Sequence, residues 1–384
     1  MRRRNLALVL GTVAAHSPLS RADVAGRIGL TRAAVSSLAD ELIVRGALTE
    51  AEAVSSGGRV GRPGRVLAVS DRGPAGLGLE IGVTHLAACV ADLRGEPRVW
   101  RRVERSNAGR PAGQVLAEAA ALAAEAEAEA AALGLRVEGR VLAVPGVVSN
   151  ERRGLVERAP NLGWHAVGLA DHWPDPDTVP DPDNEANLGA LAEYWHAERV
   201  METFVHVSGA AGIGAALVID GRLFRGARGF AGELGHIPVH PDGAPCACGS
   251  RGCLEQYAGD AAVLREAGLT RHGDPVALLA ERAGAGHAPT LRALDRAGRS
   301  LGLALTAAID LIDPDGLVIG GAYAELAEWL LPSVRAELAA RVTVRPWASE
   351  AVRASALGRR GPVLGAALMT VRRLVADPTR LSSS

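Results

Sequence analysis

Three of the four cysteines in this chain, Cys246, Cys248 and Cys253, fall within eight residues, and His236 stands ten residues ahead of the first. Cys246 and Cys248 are too close in sequence for an unstrained disulfide. One imidazole and three thiols form the Cys3His donor set of a tetrahedral Zn²⁺, so the segment GHIPVHPDGAPCACGSRGCLE is expected to fold around that ion as a structural cofactor. Gly249 and Gly252 let the backbone curl about it. Cys89, in an apolar run, reads as an inert core residue, and four Cys in 384 residues make no disulfide scaffold.

Around this knot the chain repeats itself. LGLEIGVTHLAACVADLRGEP reads as two antiparallel strands with a turn at Leu93-Arg94-Gly95, and FVHVSGAAGIGAALVIDGRLFRG has the same layout. Strand, tight turn, strand once per half implies two related lobes with a cleft between them, where ligands usually bind. A helix is expected from about Ala112 to Leu133, and DGLVIGGAYAEL reads as a strand running through glycines into a helix, which makes the class α/β. The expected units are a head over 1–70, a first lobe over 76–195 completed by a C-terminal helix over 362–380, and a second lobe with the metal motif over 196–361.

The net charge of −1 conceals an asymmetry, because residues 1–70 carry ten Arg against five Asp or Glu, a balance of +5. A basic head on an acidic body points to nucleic acid. Leu6, Val9, Leu10 and Val13 recur at helical spacing, Ser20 and Asp23 form a capping-box pattern before a second helix, and Thr31 can cap a third after the Gly29 turn. This is a helix-turn-helix, and Thr31, Arg32, Ser36 and Ser37 at the start of the third helix are the expected base or phosphate contacts in a major groove. ALTEAEAV and RVLAVS read as the strands of a wing whose tip carries Arg59, Arg62 and Arg65 between glycines, suited to a minor groove. The basic, apolar start is read as this first helix and not as a signal peptide, and no run approaches the roughly 18 uncharged apolar residues of a membrane span. A cytoplasmic location is expected.

These motifs, in this order, resemble the ROK family of repressors and sugar kinases: LSRADVAGRIGLTRAAVSSLADELIVRGAL and GRPGR in the head, then VPGVV, APNLGW, DNEANLGALAE, AGELGH and the Cys-x-Cys-Gly-x-x-Gly-Cys-x-Glu run. The resemblance covers nearly the whole chain. It implies a winged helix-turn-helix joined to an actin-like, ribonuclease-H-like pair of lobes. It also implies that a sugar would be held by Asn184, Glu185, Glu233, His236 and Glu255, with Gly146 as a backbone contact. Carboxylates accept hydrogen bonds from sugar hydroxyls, an amide does both, and a metal-fixed imidazole has one orientation.

The phosphoryl-transfer machinery of the family is altered here. Glu185 stands at the position of the catalytic Asp, and a carboxylate displaced by about 1 Å can cost on the order of 100-fold in rate. The first phosphate loop, typically Asp-x-Gly-Gly-Thr-Lys, is EIGVTH, departing at Glu80, Val83 and His85. Ala210-Ala211-Gly212 stands where Gly-Thr-Gly is usual, whereas IGGAY keeps its paired glycines, and the chain has no Lys at all. The expected protein is a DNA-binding regulator, repressor in type, that takes a sugar or sugar derivative as effector and works as a homodimer or dimer of dimers on a duplex operator, with no membrane partner. The alternative is an active sugar kinase carrying a DNA-binding head.

Overall fold

The computed structural model describes residues 1–52, 65–196, 201–209, 212–271 and 273–382. Helix α1 (Arg2–His16) buries Leu6, Val9, Leu10 and Val13. After the short strand β1 (Leu19–Ser20), helix α2 (Arg21–Ile28) opens on a complete capping box: Ser20 Oγ accepts from the Asp23 amide, and the Asp23 carboxylate accepts from the Ser20 amide. Gly29, at φ 70°, ends it, and Thr31 Oγ1 caps α3 (Arg32–Val44) by accepting from Ala34 N. Strands β2 (Leu48–Glu52) and β3 (Arg65–Val69) pair antiparallel as the wing, with β1 on the other side of β3. The wing tip, with Arg59 and Arg62, lies outside the described residues.

The first lobe follows after three residues. Strands β4 (Gly73–Ile81), β5 (His85–Asp92) and β6 (Pro97–Glu104) form an antiparallel meander. Helix α4 (Ala112–Ala132) leads to β7 (Leu135–Val144), parallel to β4. A small flap of β8 (Val147–Val148), β9 (Leu155–Ala159) and β10 (Trp164–Gly168) intervenes before β11 (Asp181–Asn184), parallel to β7, and helix α5 (Glu185–His196). The reading of two strands here was one short. In β6 the arginines at 98, 101 and 102 hide the alternation, because their heads pair with carboxylates while only Val99 enters the core.

The second lobe repeats the plan. Strands β12 (Phe204–Gly209), β13 (Ile213–Ile219) and β14 (Arg222–Phe224) form the meander. After the His/Cys loop come α6 (Glu255–Ala258), α7 (Asp260–Glu266), α8 (Pro275–Gly284) and α9 (Ala288–Ile312). Strand β15 (Gly316–Gly321) is parallel to β12, α10 (Ala327–Arg341) follows, and β16 (Val352–Ala354) is parallel to β15. The two sheets run β6-β5-β4-β7-β11 and β14-β13-β12-β15-β16, one order with one set of directions. This is the actin-like, ribonuclease-H-like pair of lobes.

The final helix, α11 (Gly361–Ala376), returns to the first lobe. Helix α4 buries one face of that sheet and α11 the other. In the second lobe, α9 and α10 cover one face, while Ala186 and Ala190 of α5 pack with Phe204, Ala216 and Val218 on the other. Glycines set these distances. A Cβ on Gly78 of β4 would lie 2.1 Å from Val363 O of α11, and one on Gly365 of α11 would lie 1.9 Å from Leu188 O of α5. The head is not a separate body. Its core residues Leu6, Leu10 and Leu42 belong to one apolar cluster with Leu364, Leu368, Val371, Leu374 and Leu381, and the Arg45 guanidinium donates to Leu381 O at 2.7 Å. Among the described residues no helix is long and apolar enough to cross a membrane.

Gly365→Val should therefore force α5 and α11 apart and lower stability by roughly 1–3 kcal/mol in denaturant unfolding. Gly26→Ala, in α2 where an added Cβ meets nothing within 4 Å, should raise it by about 0.5–1 kcal/mol. Equal effects would refute the close crossing.

Candidate functional site

His236 lies in a short turn after β14, and the cysteines lie on the loop that follows. The donor atoms of His236, Cys246, Cys248 and Cys253 all fall within 4.8 Å of one another. His236 Nδ1 is 3.9 Å from Cys246 Sγ, and Cys248 Sγ is 3.6 Å from Cys253 Sγ. Bonds of about 2.3 Å to sulfur and 2.0 Å to nitrogen put the corners of a tetrahedron roughly 3.5–3.8 Å apart, so the set fits one metal ion. Burial, with the two neighbouring thiols, pushes Cys253 up to about 12. Three thiols this close cannot all ionise without a cation among them. Gly249 at φ 92° and Gly252 at φ 66° turn the loop, and a Cβ on Gly252 would strike His240 O. His240 itself packs on Tyr257 with the rings tilted by 59° and their centroids 4.4 Å apart. With Nδ1 turned to the thiols, His236 Nε2 faces Glu233 at 3.7 Å.

The cleft lies at the carboxyl ends of the parallel strands, where open α/β sheets bind ligands. It has two halves. One is lined by Gly146, Asp183, Asn184, Asn187, Arg225, Gly232 and Glu233. The other includes Glu80, His85, Pro145, Asn161, Glu185, Gly212, Asp260, Arg271, Asp274 and Arg359. Of the residues expected at a sugar, Gly146, Asn184 and Glu233 share the first half, with His236 beside Glu233, while Glu185 lines the second. Glu255 Oε2 accepts from Ile213 N at 3.3 Å, next to Gly212 and Asn161.

Two of these residues already have partners. Asn184 caps α5, its Oδ1 accepting from the amides of Ala186 (2.9 Å) and Asn187 (3.2 Å), and its Nδ2 donates to Gly146 O at 2.9 Å. The Gly146 amide donates to Val144 O, and a Cβ there would lie 2.3 Å from Arg158 O, so this glycine is required by the close approach of β9. Burial, reinforced by the nearby Glu80 carboxylate and opposed by His85, pushes Glu185 up to about 7. Sequence reasoning missed Asp183 and Arg225, an ion pair between the lobes with one hydrogen bond at 2.9 Å. It also missed Asn161 and Asp260. APNLGW had singled out the region of Asn161, whereas Asp183–Arg225 is a contact between distant segments with no local signal.

On the head, Arg32, Ala33 and Ser37 are exposed on α3, and Ser36 is half-buried, its carbonyl accepting from Arg21. Four of the head's arginines are engaged within it. Arg21 pairs with Asp40 and Glu50, Arg45 and Arg2 with Glu41, and Arg65 with Glu50 at 3.2 Å, although Arg65 stays mostly exposed. Among the described residues, Arg4, Arg27 and Arg32 are exposed and form no ion pair, so Arg4 and Arg27 join Arg32 as cations available to a phosphate.

Residues 76–373 match the model of the ROK family. The xylose repressor of Bacillus subtilis (strain 168) is 28% identical over 95% of this chain and 94% of its own length. A solved ROK family transcriptional regulator, described as a homologue of the E. coli MLC protein, superposes with a TM-score of 0.79 over 99% of this chain and 98% of its own, at 24% identity. A ROK family glucokinase from Streptomyces griseus, solved with glucose and AMPPNP, superposes with a TM-score of 0.66 over 77% of this chain and 98% of its own, at 28% identity. The likeness to the regulator spans head and lobes, and the likeness to the kinase covers about three quarters of this chain. With the family match reaching from β4 into α11, the chain belongs to the ROK family.

Proposed function

We propose that this chain is a sugar-responsive transcriptional regulator, repressor in type, whose inter-lobe cleft takes a sugar effector and whose winged helix-turn-helix binds a duplex operator. One observation carries the reading: helix α11 belongs to both sites. Pro362 in its first turn, with Arg359 just before it, lines the cleft, while Leu368, Val371 and Leu374 further along share a core with α1 and α3. Relatives of full length named as xylose repressors support the same assignment. A change in lobe angle on sugar binding would move α11 and with it the head. In a homodimer that would alter the spacing of two recognition helices, and two-fold symmetry would make the operator palindromic.

Zn²⁺ would be held by His236 Nδ1, Cys246, Cys248 and Cys253, as a structural brace that fixes the loop. The chain's own residues then do the recognition. His236 presents Nε2 as a donor beside Glu233, whose carboxylate accepts from hydroxyls, and Glu255 and Asn161 flank the junction of the two halves. An acid near 7 at Glu185 would suit a general base, but transfer also needs a phosphate cradle. Here His85 folds over Gly82 and pairs with Glu80 at 3.2 Å, and Val83 adds bulk to the same turn. The glycines of the nucleotide half are taken up by side chains: His206 fills the space at Gly320, and the buried ring of Tyr323 fills that at Gly209. These features support the regulator reading over the kinase alternative. The Ala210-Ala211 pair lies outside the described residues.

Two measurements test the proposal. Replacing Arg59, Arg62 and Arg65 by Ala should weaken binding to non-specific duplex DNA and reduce the slope of log K against log salt by up to about 0.9 per lost phosphate contact, whereas Arg32→Ala should cost about 1–3 kcal/mol at the operator. An unchanged slope would remove the wing from the interface. In a thermal-shift screen of sugars, the effector should raise the melting temperature of zinc-loaded protein. Chelation, or Glu233→Gln, should abolish that shift, and a chelator-treated protein that keeps its sugar response would overturn the metal-braced site.

A further inference from the structure

The two halves of the cleft meet along residues one or two positions apart. Gly146, Asn184 and Gly214 line the first, and their neighbours Pro145, Glu185 and Gly212 line the second. The end of a sugar remote from Glu233 therefore faces Glu80, Glu185, Asp260 and Asp274. Both arginines there already face carboxylates, Arg271 with Asp260 at 3.4 Å and Arg359 with Asp274 at 2.6 Å and with Glu325, and His85 Nε2 lies 3.2 Å from Glu80. The N-terminus of α5, which would otherwise favour an anion, is filled from within by Asn184 and carries Glu185 as its first residue. Two carboxylates in this half point to the kind of ligand it takes. Glu80 is 5% exposed and Asp260 2%, both line the cleft, and Glu80 Oε2 and Asp260 Oδ1 have no hydrogen-bond donor among the described residues.

We infer that the effector is an uncharged free sugar and not its phosphate ester, and that Glu80 and Glu185 are the residues that make this choice. The inference rests on the sugar reading above and names the chemical class of its ligand. A free hydroxyl at the outward end can donate to a carboxylate. A phosphate dianion at the same place would bring its charge into a partly desolvated site against Glu80 and, at pH 8 where Glu185 is ionised, against a second carboxylate, while both arginines of this half already face carboxylates of their own. Discrimination by repulsion of this kind is consistent with a family cleft whose phosphate-loop lysine position holds His85, an imidazole beside Glu80 in place of a fixed cation.

The test is a calorimetric titration of the full-length, zinc-loaded protein with a panel of common aldoses and amino sugars, each paired with its own terminal phosphate ester, including D-xylose with D-xylose 5-phosphate and D-glucose with D-glucose 6-phosphate. For the sugar that binds, the free form should bind at least about 10-fold more tightly than the ester. In the isosteric double variant Glu80→Gln/Glu185→Gln the gap should shrink by about 10-fold, through a gain in ester affinity. An ester that binds as tightly as its free sugar, or more tightly, overturns the inference and leaves the sugar reading standing. A gap unchanged in the double variant overturns the role given to Glu80 and Glu185. If no member of any pair binds, the sugar reading itself falls, and the inference falls with it.

Discussion

Leu188 O occupies the place where a Cβ on Gly365 would stand, and Gly361 lies against Gly189, so α5 and α11 cross backbone against backbone. No side chain cushions that contact. Helix α5 carries Asn184 and Glu185 at its entrance and packs its alanines on the sheet of the second lobe. Helix α11 is buried in the first lobe from Gly361 through Val371 and ends among the residues that hold the head. Close-packed interiors do not deform continuously, so a rotation of the lobes at this crossing displaces α11 and the head together. The arrangement connects a small ligand to a DNA-binding surface without a dedicated linker, since only Ser70, Asp71 and Arg72 separate β3 from β4.

The two walls of the ligand half differ in stiffness. On one side, four donors grouped within 4.8 Å fix His236, and Glu233 sits beside it. On the other, the lobes meet through Asp183 and Arg225, and through a glycine turn in which Gly229 approaches Asn150 closely enough that a Cβ would lie 2.8 Å from its amide nitrogen. A buried ion pair between moving parts contributes little net stability but strongly penalises states that separate its partners. It is therefore suited to holding one lobe angle over another.

What the sequence disclosed and what it concealed follow from the range of each interaction. The metal set was readable because all four donors lie on one segment, and the head because Ser20, Asp23 and Thr31 cap helices within a few residues of themselves. The repeated hairpin announced two lobes of one topology. Strand β6 was hidden by arginines whose heads reach carboxylates while their backbone pairs in the sheet. The head's balance of +5 did not say which arginines are free, because Arg2 and Arg45 share Glu41, and Arg21 and Arg65 share Glu50, mostly through contacts between segments distant in sequence. Asp183–Arg225, Glu255 beside Asn161, and the reach of α11 from cleft to head join residues tens to hundreds of positions apart, and no periodicity reports such contacts. The glycines in IGGAY looked like a nucleotide signature. In the fold, Gly320 makes room for the ring of His206, a core imidazole that burial lowers to about 4.

If sugar and operator act on one equilibrium, a single coupling free energy joins the cleft and the head, and linkage makes it measurable from both ends. The most direct test is the effector dissociation constant of the full-length protein, free and saturated with operator duplex, set beside the operator dissociation constant with and without effector. The two ratios should agree and amount to at least about 5-fold, the lower end of typical coupling between sites. A sugar that binds free and operator-bound protein equally well would contradict the account, however tightly it binds.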